Sequence, residues 1–362
     1  SSAGSLEKIT MNNKIAIIGI VGVPANYGGF ETLVDNLIEE KGEKFHIYCS
    51  SFSYKEKTKS YKKSHLHYIP LRANGFQSIL YDIASIIHAI ATGCQTFLIL
   101  GVSGALAFKI IKTIYPNAKI ITNIDGLEWQ RQKWNTPTKK LLKYFEKLAV
   151  KNSTHVVCDN KVILDYVKNK YEKTGVLIPY GGDHAIKSSQ NKITKIEISN
   201  YCLSICRIEP ENNIHTILQA FKKSNKAIIF IGNWNASTYG KHLYQEFSSS
   251  QNIRLLNPIY DNEILFNYRA NCSIYIHGHS AGGTNPSLVE MMHFGKLIIA
   301  FDCAYNRSTM MNEGLYFKNS QELESILHTP NEDKTTGEKL KQIAMENYCW
   351  EKIRAQYLQL LE

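Results

Sequence analysis

His277-Gly-His279-Ser-Ala-Gly282-Gly283-Thr284-Asn285-Pro286-Ser287-Leu288-Val-Glu290-Met-Met-His-Phe-Gly295 reads as a strand end, a tight glycine loop and a helix. Ser273 to His277 closes a β-branched and aromatic run. Gly282 and Gly283 permit a turn with positive φ. Asn285 is a favoured N-cap and Pro286 suits the first helical position. Such a loop aims backbone N–H groups and the positive end of a helix dipole at one point, where an anion, most often a phosphate or diphosphate, is favoured. Glu290 lies one helical turn beyond Pro286 and can accept hydrogen bonds from hydroxyls attached to that phosphate. The plain alternative is an ordinary βα turn with a surface Glu.

The same alternation runs in both directions from this stretch. Ile15–Val21 is a near-continuous apolar run, the mark of a strand buried on both faces of a parallel sheet. Strands are predicted at 45–50, 66–71, 96–100, 119–123, 155–158 and 176–178. Helices are predicted at 30–40, 76–91, 104–114, 137–151 and 160–171. Residues 186–198 are polar and read as a linker. A second series follows, with strands at 201–206, 227–231, 253–255, 273–277, 298–301 and 315–317. Its helices fall near 213–223, 239–247, 261–270, 286–294 and 320–328, and one long helix is expected over 335–361. The expected fold class is therefore α/β, with two Rossmann-like, doubly wound domains in tandem. Residues 1–10 read as a tail or cloning remnant before Met11. The first domain is expected over 11–185 and the second over 199–340. Ligands of such sheets bind at the strand C-terminal edges, so the loops after strands should line a cleft between the domains.

The 362 residues, 44% hydrophobic, suffice for two cores, and no apolar run reaches the ~18–20 residues that span a bilayer. Eight scattered cysteines without Cys-x-x-Cys spacing point to reduced, buried thiols in a cytosolic protein. The net charge of +10 is uneven: residues 1–186 hold 24 Lys+Arg against 15 Asp+Glu, and the rest hold 18 against 17. A basic first half suits an anionic membrane, a phosphorylated substrate or nucleic acid, against the alternative of a solvated surface. Nucleic acid is disfavoured, because Lys55–Lys63 has only Tyr61 interleaved and no recognised motif.

Chemistry-bearing residues lie on the loops after strands. Gly28 and Gly29, beside Tyr27, open a helix whose first turn holds Glu31. Asp125-Gly-Leu-Glu128-Trp129 places two carboxylates and an indole within five residues, a pattern suited to sugar hydroxyls. Arg207 follows a strand directly, where its fork can neutralise a diphosphate, unless Glu209 or Glu211 takes it as a salt bridge. His277 and His279 have no third partner at metal-ligand spacing, so no metal is expected.

Together these residues resemble the GT-B glycosyltransferases of family 4. The similarity lies in Tyr27-Gly28-Gly29-Phe30-Glu31, Pro179-Tyr-Gly-Gly-Asp183, Arg207, Glu290 and the C-terminal Tyr348-x-Trp350. Two positions depart: the family's Lys five residues after Arg207 is Asn212, and its Glu eight residues before Glu290 is Gly282. The His-x-His-x-x-Gly-Gly-Thr-Asn-Pro-Ser-Leu-x-Glu run, with Asp125–Trp129 and Pro210-Glu-Asn-Asn213, is similar to a subgroup that includes capsule and cell-wall rhamnosyltransferases. The resemblance implies a C-terminal helix, 341–362, crossing back to the first domain. It implies a retaining enzyme that moves L-rhamnose from dTDP-L-rhamnose onto a saccharide on a lipid diphosphate, without cofactor or metal. The leaving phosphate would take the acceptor's proton. Arg207 and Asp125 would be catalytic. Gly28, Gly29, Asn212, His279, Gly282, Gly283, Thr284, Asn285 and Ser287 would hold the donor's diphosphate and sugar. Glu290 and Leu288 would hold the nucleoside, and Tyr27, Glu31, Glu128 and Trp129 the acceptor. The implied location is the cytoplasmic face of the membrane, held by the basic first domain. Another UDP- or GDP-sugar donor, or a GT-B nucleotide-sugar epimerase, is the alternative.

Overall fold

A computed structural model describes residues 14–25, 28–39, 41–124, 126–131, 134–187, 196, 198–329 and 334–362. Tyr27, Asp125, the tail and most of the predicted linker lie outside the described residues.

The first sheet is formed by β1 (Ile15–Ile18), β2 (Phe45–Ser50), β3 (Ser60–Tyr61), β4 (Ser64–Ile69), β5 (Thr96–Leu100), β6 (Lys119–Ile124), β7 (His155–Cys158) and β8 (Val176–Leu177). Its order is β3-β4-β2-β1-β5-β6-β7-β8. Helices α1 (Gly29–Leu37), α2 (Gln77–Ala91), α3 (Phe108–Ile114), α4 (Thr136–Asn152) and α5 (Lys161–Tyr171) alternate with the strands. The apolar runs account for this: β1, β2 and β5 are buried at every position, as strands covered on both faces must be. One strand escapes the sequence pattern. β3 pairs antiparallel with β4 across the two-residue turn Lys62-Lys63, both at positive φ. That is the geometry of a type I′ hairpin, usually signalled by Asn-Gly rather than by two lysines.

The second sheet holds β9 (Tyr201–Ile205), β10 (Ala227–Ile231), β11 (Ile253–Leu256), β12 (Ile274–His277), β13 (Leu297–Phe301) and β14 (Leu315–Phe317). All its pairings are parallel, in the order β11-β10-β9-β12-β13-β14. Its helices are α6 (Ile214–Lys223), α7 (Thr238–Phe247), α8 (Asn262–Asn271), α9 (Pro286–Met292), α10 (Ala304–Thr309) and α11 (Ser320–His328). Its core gathers Phe221, Phe230, Trp234 and Phe247 around β9, β10 and β12. The order reverses between β9 and β12, so the crevice outside their C-terminal ends is where a doubly wound sheet binds ligand. Arg207 and the 277–285 loop leave from those two ends.

The single long helix expected at the C-terminus is two: α12 (Lys334–Asn347) and α13 (Trp350–Leu361). The break has a cause. The Tyr348 carbonyl accepts from the Gly182 amide at 2.8 Å and faces His293 Nε2 at 3.1 Å. Asp183 Oδ1 then accepts the Trp350 amide at 2.8 Å, a cap supplied from 167 residues away in sequence.

The chain divides into two compact units. One contains the residues up to Asn123, Tyr144–Val156 and Gln359–Glu362; the other contains Ile124–Lys143 and Val157–Leu358. Within the first, Lys41 and Glu362 form an ion pair. The same unit holds a histidine cluster on β2, β4 and α2. His46 Nδ1 and His67 Nε2 are 2.9 Å apart, the His46 and His65 rings stack at 4.8 Å, and His88 bonds Tyr48. Burial, then the charges of neighbouring histidines, pushes both His46 and His67 down to about 4. The unfolded chain therefore binds more protons than the folded one between about pH 6.5 and 4, and stability is lost as pH falls through that window. The melting temperature should drop from pH 7.5 to pH 4.5, and His46→Gln should flatten the drop. A wild-type melting temperature constant over that range would contradict this.

Candidate active site

The loop after β12 is held by contacts that its glycines alone permit. A Cβ at Gly283 would lie 1.9 Å from Asp159 Oδ1. Asp159, in the loop after β7, is buried; its Oδ2 accepts the Thr284 amide at 3.0 Å, and its carbonyl accepts the Thr284 hydroxyl. On the other side, a Cβ at Gly126 would approach the Gly282 Cα to 2.8 Å. The turn that follows Asp125 is thus seated on the glycine pair. Gly278 is equally constrained, since a Cβ there would meet the Asn212 carbonyl at 2.0 Å.

Gly282 has φ +95°, a region L side chains rarely adopt, and among the described residues the direction of its absent Cβ meets only His279 Nε2 at 3.7 Å. The backbone here disfavours any L side chain. This backbone conformation is the physical reason for a glycine at 282.

Asn212 takes a positional role. Its Nδ2 donates to the Arg207 carbonyl at 2.7 Å, and its Oδ1 lies 2.7 Å from His279 Nδ1. With the amide so oriented, Oδ1 accepts from Nδ1–H, and the lone pair falls on His279 Nε2, 3.7 Å from where a Gly282 Cβ would stand. Burial pushes His279 down to about 4, helped by the charges of Arg131 and Arg207. His277, also buried, is pushed down to about 3 by burial and by His279. Two guanidinium groups therefore act on a neutral imidazole. Arg207 pairs with Glu209 at 3.6 Å, the salt bridge its neighbours in sequence allowed, yet its side chain stays 64% exposed, so the rest of the fork is accessible to a ligand. Arg131 pairs with Glu128 at 3.1 Å.

The donors predicted around Gly283–Ser287 are partly spent. The Thr284 amide goes to Asp159, and the Ser287 amide and hydroxyl both go to Asn285 Oδ1 at 3.0 and 2.8 Å. Pro286 has no N–H. The amides of Gly282 and Gly283 carry no hydrogen bond among the described residues. Leu288 is fully buried in the core rather than lining the loop, because its place in the first turn of α9 faces inward.

Glu290 is the end of a chain of directed bonds. Trp350 Nε1–H donates to His184 Nδ1 at 2.9 Å, and His184 Nε2 meets Glu290 Oε1 at 3.2 Å. Buried Arg269 of α8 pairs with Oε2. Burial would raise the Glu290 carboxyl, but Arg269 and His184 outweigh it and hold it below its ordinary value. An ionised carboxylate has further lone pairs for a hydroxyl.

The residues predicted for the acceptor are more heavily engaged. Glu31 is buried, its Oε1 accepting the Val21 amide at 2.8 Å while Oε2 passes where a Gly28 Cβ would sit, at 2.7 Å. Burial raises its carboxyl. Gly29 is the first residue of α1. Glu128 also accepts from Trp134 Nε1 at 3.0 Å, and the Trp129 ring lies under Lys143 Nζ at 3.7 Å and near Tyr166. These side chains shape their own loops.

Sequence reasoning missed Asp159, His184, Arg269 and the role of Arg131. Asp159 directly follows a predicted strand, the same signal that marked Arg207.

Residues 185–343 match the family described as glycosyl transferases group 1, and residues 12–183 match one described as a domain of unknown function, DUF1972. No curated protein matches the chain. Among solved structures, the chain is similar to sucrose-phosphate synthase from Thermosynechococcus elongatus, with 16% identity, 96% of this chain and 98% of that one covered, and a TM-score of 0.78. Anabaena HepE in complex with UDP and glucose is also 16% identical, covering 96% and 99%, at 0.72. The catalytic domain of Arabidopsis thaliana starch synthase IV, bound to ADP and acarbose, is 12% identical over 96% and 98%, at 0.66. The fold is GT-B.

Gly283→Ala should force Asp159 away from the loop at a cost of about 1–3 kcal/mol, typical of overpacking. Thermal melting measures it; an unchanged melting temperature would contradict the close approach.

Proposed function

We propose that this GT-B glycosyltransferase, whose residues 185–343 match the group 1 glycosyl transferases, is a retaining enzyme that moves L-rhamnose from dTDP-L-rhamnose to a lipid-diphosphate-linked saccharide. The supporting observation is the pair of cations, Arg131 and Arg207, acting on neutral His279 beside the amides of Gly282 and Gly283. Transfer breaks the bond between the sugar's C1 and the diphosphate oxygen and forms one from C1 to the acceptor oxygen. The acceptor's proton passes to the departing diphosphate. Negative charge therefore grows on the diphosphate, and stabilising it is the main electrostatic task. Arg207 meets that task with its exposed fork, the amides of Gly282 and Gly283 donate to the diphosphate, and Arg131 adds long-range charge. Asn212, at the position where the resemblance to family 4 leads one to expect Lys, supplies no charge but fixes His279, whose Nε2 lone pair can accept from a sugar hydroxyl. Glu290, ionised, accepts the ribose hydroxyls. Asp125 reads the sugar beside Gly126.

The rhamnosyl donor rests on the resemblance of the 277–290 and 125–129 segments, and a glycine at 282 suits a 6-deoxy sugar with one polar group fewer to satisfy. The lipid-linked acceptor and a place at the inner face of the membrane rest on the basic first half of the chain. No helix among the described residues is long and apolar enough to cross a membrane.

Melting-temperature shifts and turnover with dTDP-, UDP- and GDP-sugars test the donor: dTDP-L-rhamnose should stabilise and turn over best. Arg207→Ala should lower turnover by two or more orders of magnitude, the scale for loss of a charged transition-state donor. Near-normal turnover in that variant would remove the assignment. Conversion of free nucleotide sugar to an isomer without acceptor would favour an epimerase.

A further inference from the structure

The surface concerned belongs to the first compact unit and is built by topology. α2, α3 and residues 144–152 of α4 each precede a strand added on the same side of β1, so right-handed crossovers place all three on one face of the first sheet. Their inward residues confirm it: Ile86, Phe108, Ile111, Phe145 and Ala149 share one core with β1 and β5. Their outward residues are the unusual part.

Along α2, Leu80 and Ile87 recur at helical spacing on the solvent side, as do Ile110 and Ile114 along α3; with Tyr144 of α4 they are 42–59% exposed. Single exposed apolar residues are ordinary, but matching stripes on neighbouring helices of one layer are not. Lys109 of α3 and Lys147 and Lys151 of α4 are exposed in the same layer. The acids of these segments, Asp82 and Glu146, are both buried, so the outer face carries cations and apolar groups and no exposed carboxylate.

We propose that the outer face of α2, α3 and the second half of α4 docks on an anionic lipid surface, the aliphatic side chains entering the headgroup boundary and the lysines pairing with lipid phosphates. An apolar stripe flanked by lysine is the pattern of an interfacial helix. Charge complementarity selects the lipid over a second copy of this chain, because two copies of this face would oppose lysine to lysine. This deepens the membrane-bound part of the function proposed above and rests on that reading. It gives a lipid-linked acceptor a surface along which to reach the enzyme.

The test is co-sedimentation of the full chain with vesicles of phosphatidylglycerol and phosphatidylcholine, 1:1, against phosphatidylcholine alone. The chain should bind the anionic vesicles and leave them in high salt. Ile87→Glu/Ile110→Glu/Ile114→Glu and, separately, Lys109→Glu/Lys147→Glu/Lys151→Glu should each weaken binding at least tenfold. Both triples change exposed positions, and unchanged melting temperatures would show that they fold. Wild-type binding that is absent, or equal in either folded triple, overturns the proposal. So does a wild-type dimer that the isoleucine triple dissociates, which would assign the face to a second copy. Donor turnover with a soluble acceptor, measured alongside, separates the two readings: vesicle binding can fail while transfer persists, and the reverse.

Discussion

A buried carboxylate stands where the side chain of residue 283 would otherwise be, and the candidate site depends on that substitution of space. Asp159 is out of water, and its carboxylate accepts the Thr284 amide of the loop in return, the kind of partner a buried polar group requires. The loop after β12 is pressed between it and Gly126, so its two glycines hold a conformation with little freedom to relax. Two amides without protein partners among the described residues are the result, beside the ring of His279. A side chain at 283 would displace the carboxylate, and one at 282 would strain a left-handed backbone.

The rest of the second sheet supplies position and charge. Because strand order reverses between β9 and β12, their C-terminal ends open a crevice, and residues from both ends meet across it. Asn212 joins the two by bonding the Arg207 carbonyl and the His279 ring with one amide group. Farther along, Trp350, His184, Arg269 and Glu290 form a directed chain that keeps the last carboxylate ionised despite burial. Buried polar groups of this kind are favourable only when each has its partner, and here the partners come from four separate segments.

Most of the architecture was legible in the sequence because parallel strands covered on both faces are continuous apolar runs. Strands at 45–50, 96–100 and 227–231 lie where those runs lie. The failures were local. A Lys-Lys turn hid the β3–β4 hairpin, and the helical pattern of 335–361 hid a break that Asp183 and Gly182 impose from far away. In the site, glycine and Arg positions were visible because they follow strands. What Glu31, Glu128, Thr284 and Ser287 do was not, because a carboxylate or amide near a ligand loop looks the same in sequence whether it faces a ligand or its own backbone. Asn212 illustrates the point: the missing positive charge was plain, while its use as a bridge to His279 needed the distance.

The central claim is that the amides of Gly282 and Gly283 are the backbone donors for the diphosphate. Selective ¹⁵N-glycine labelling reads them directly as dTDP-L-rhamnose, or dTDP alone, is added. The account predicts that the Gly282 and Gly283 resonances shift together and saturate with donor binding. Resonances that stay fixed while the donor binds would contradict it.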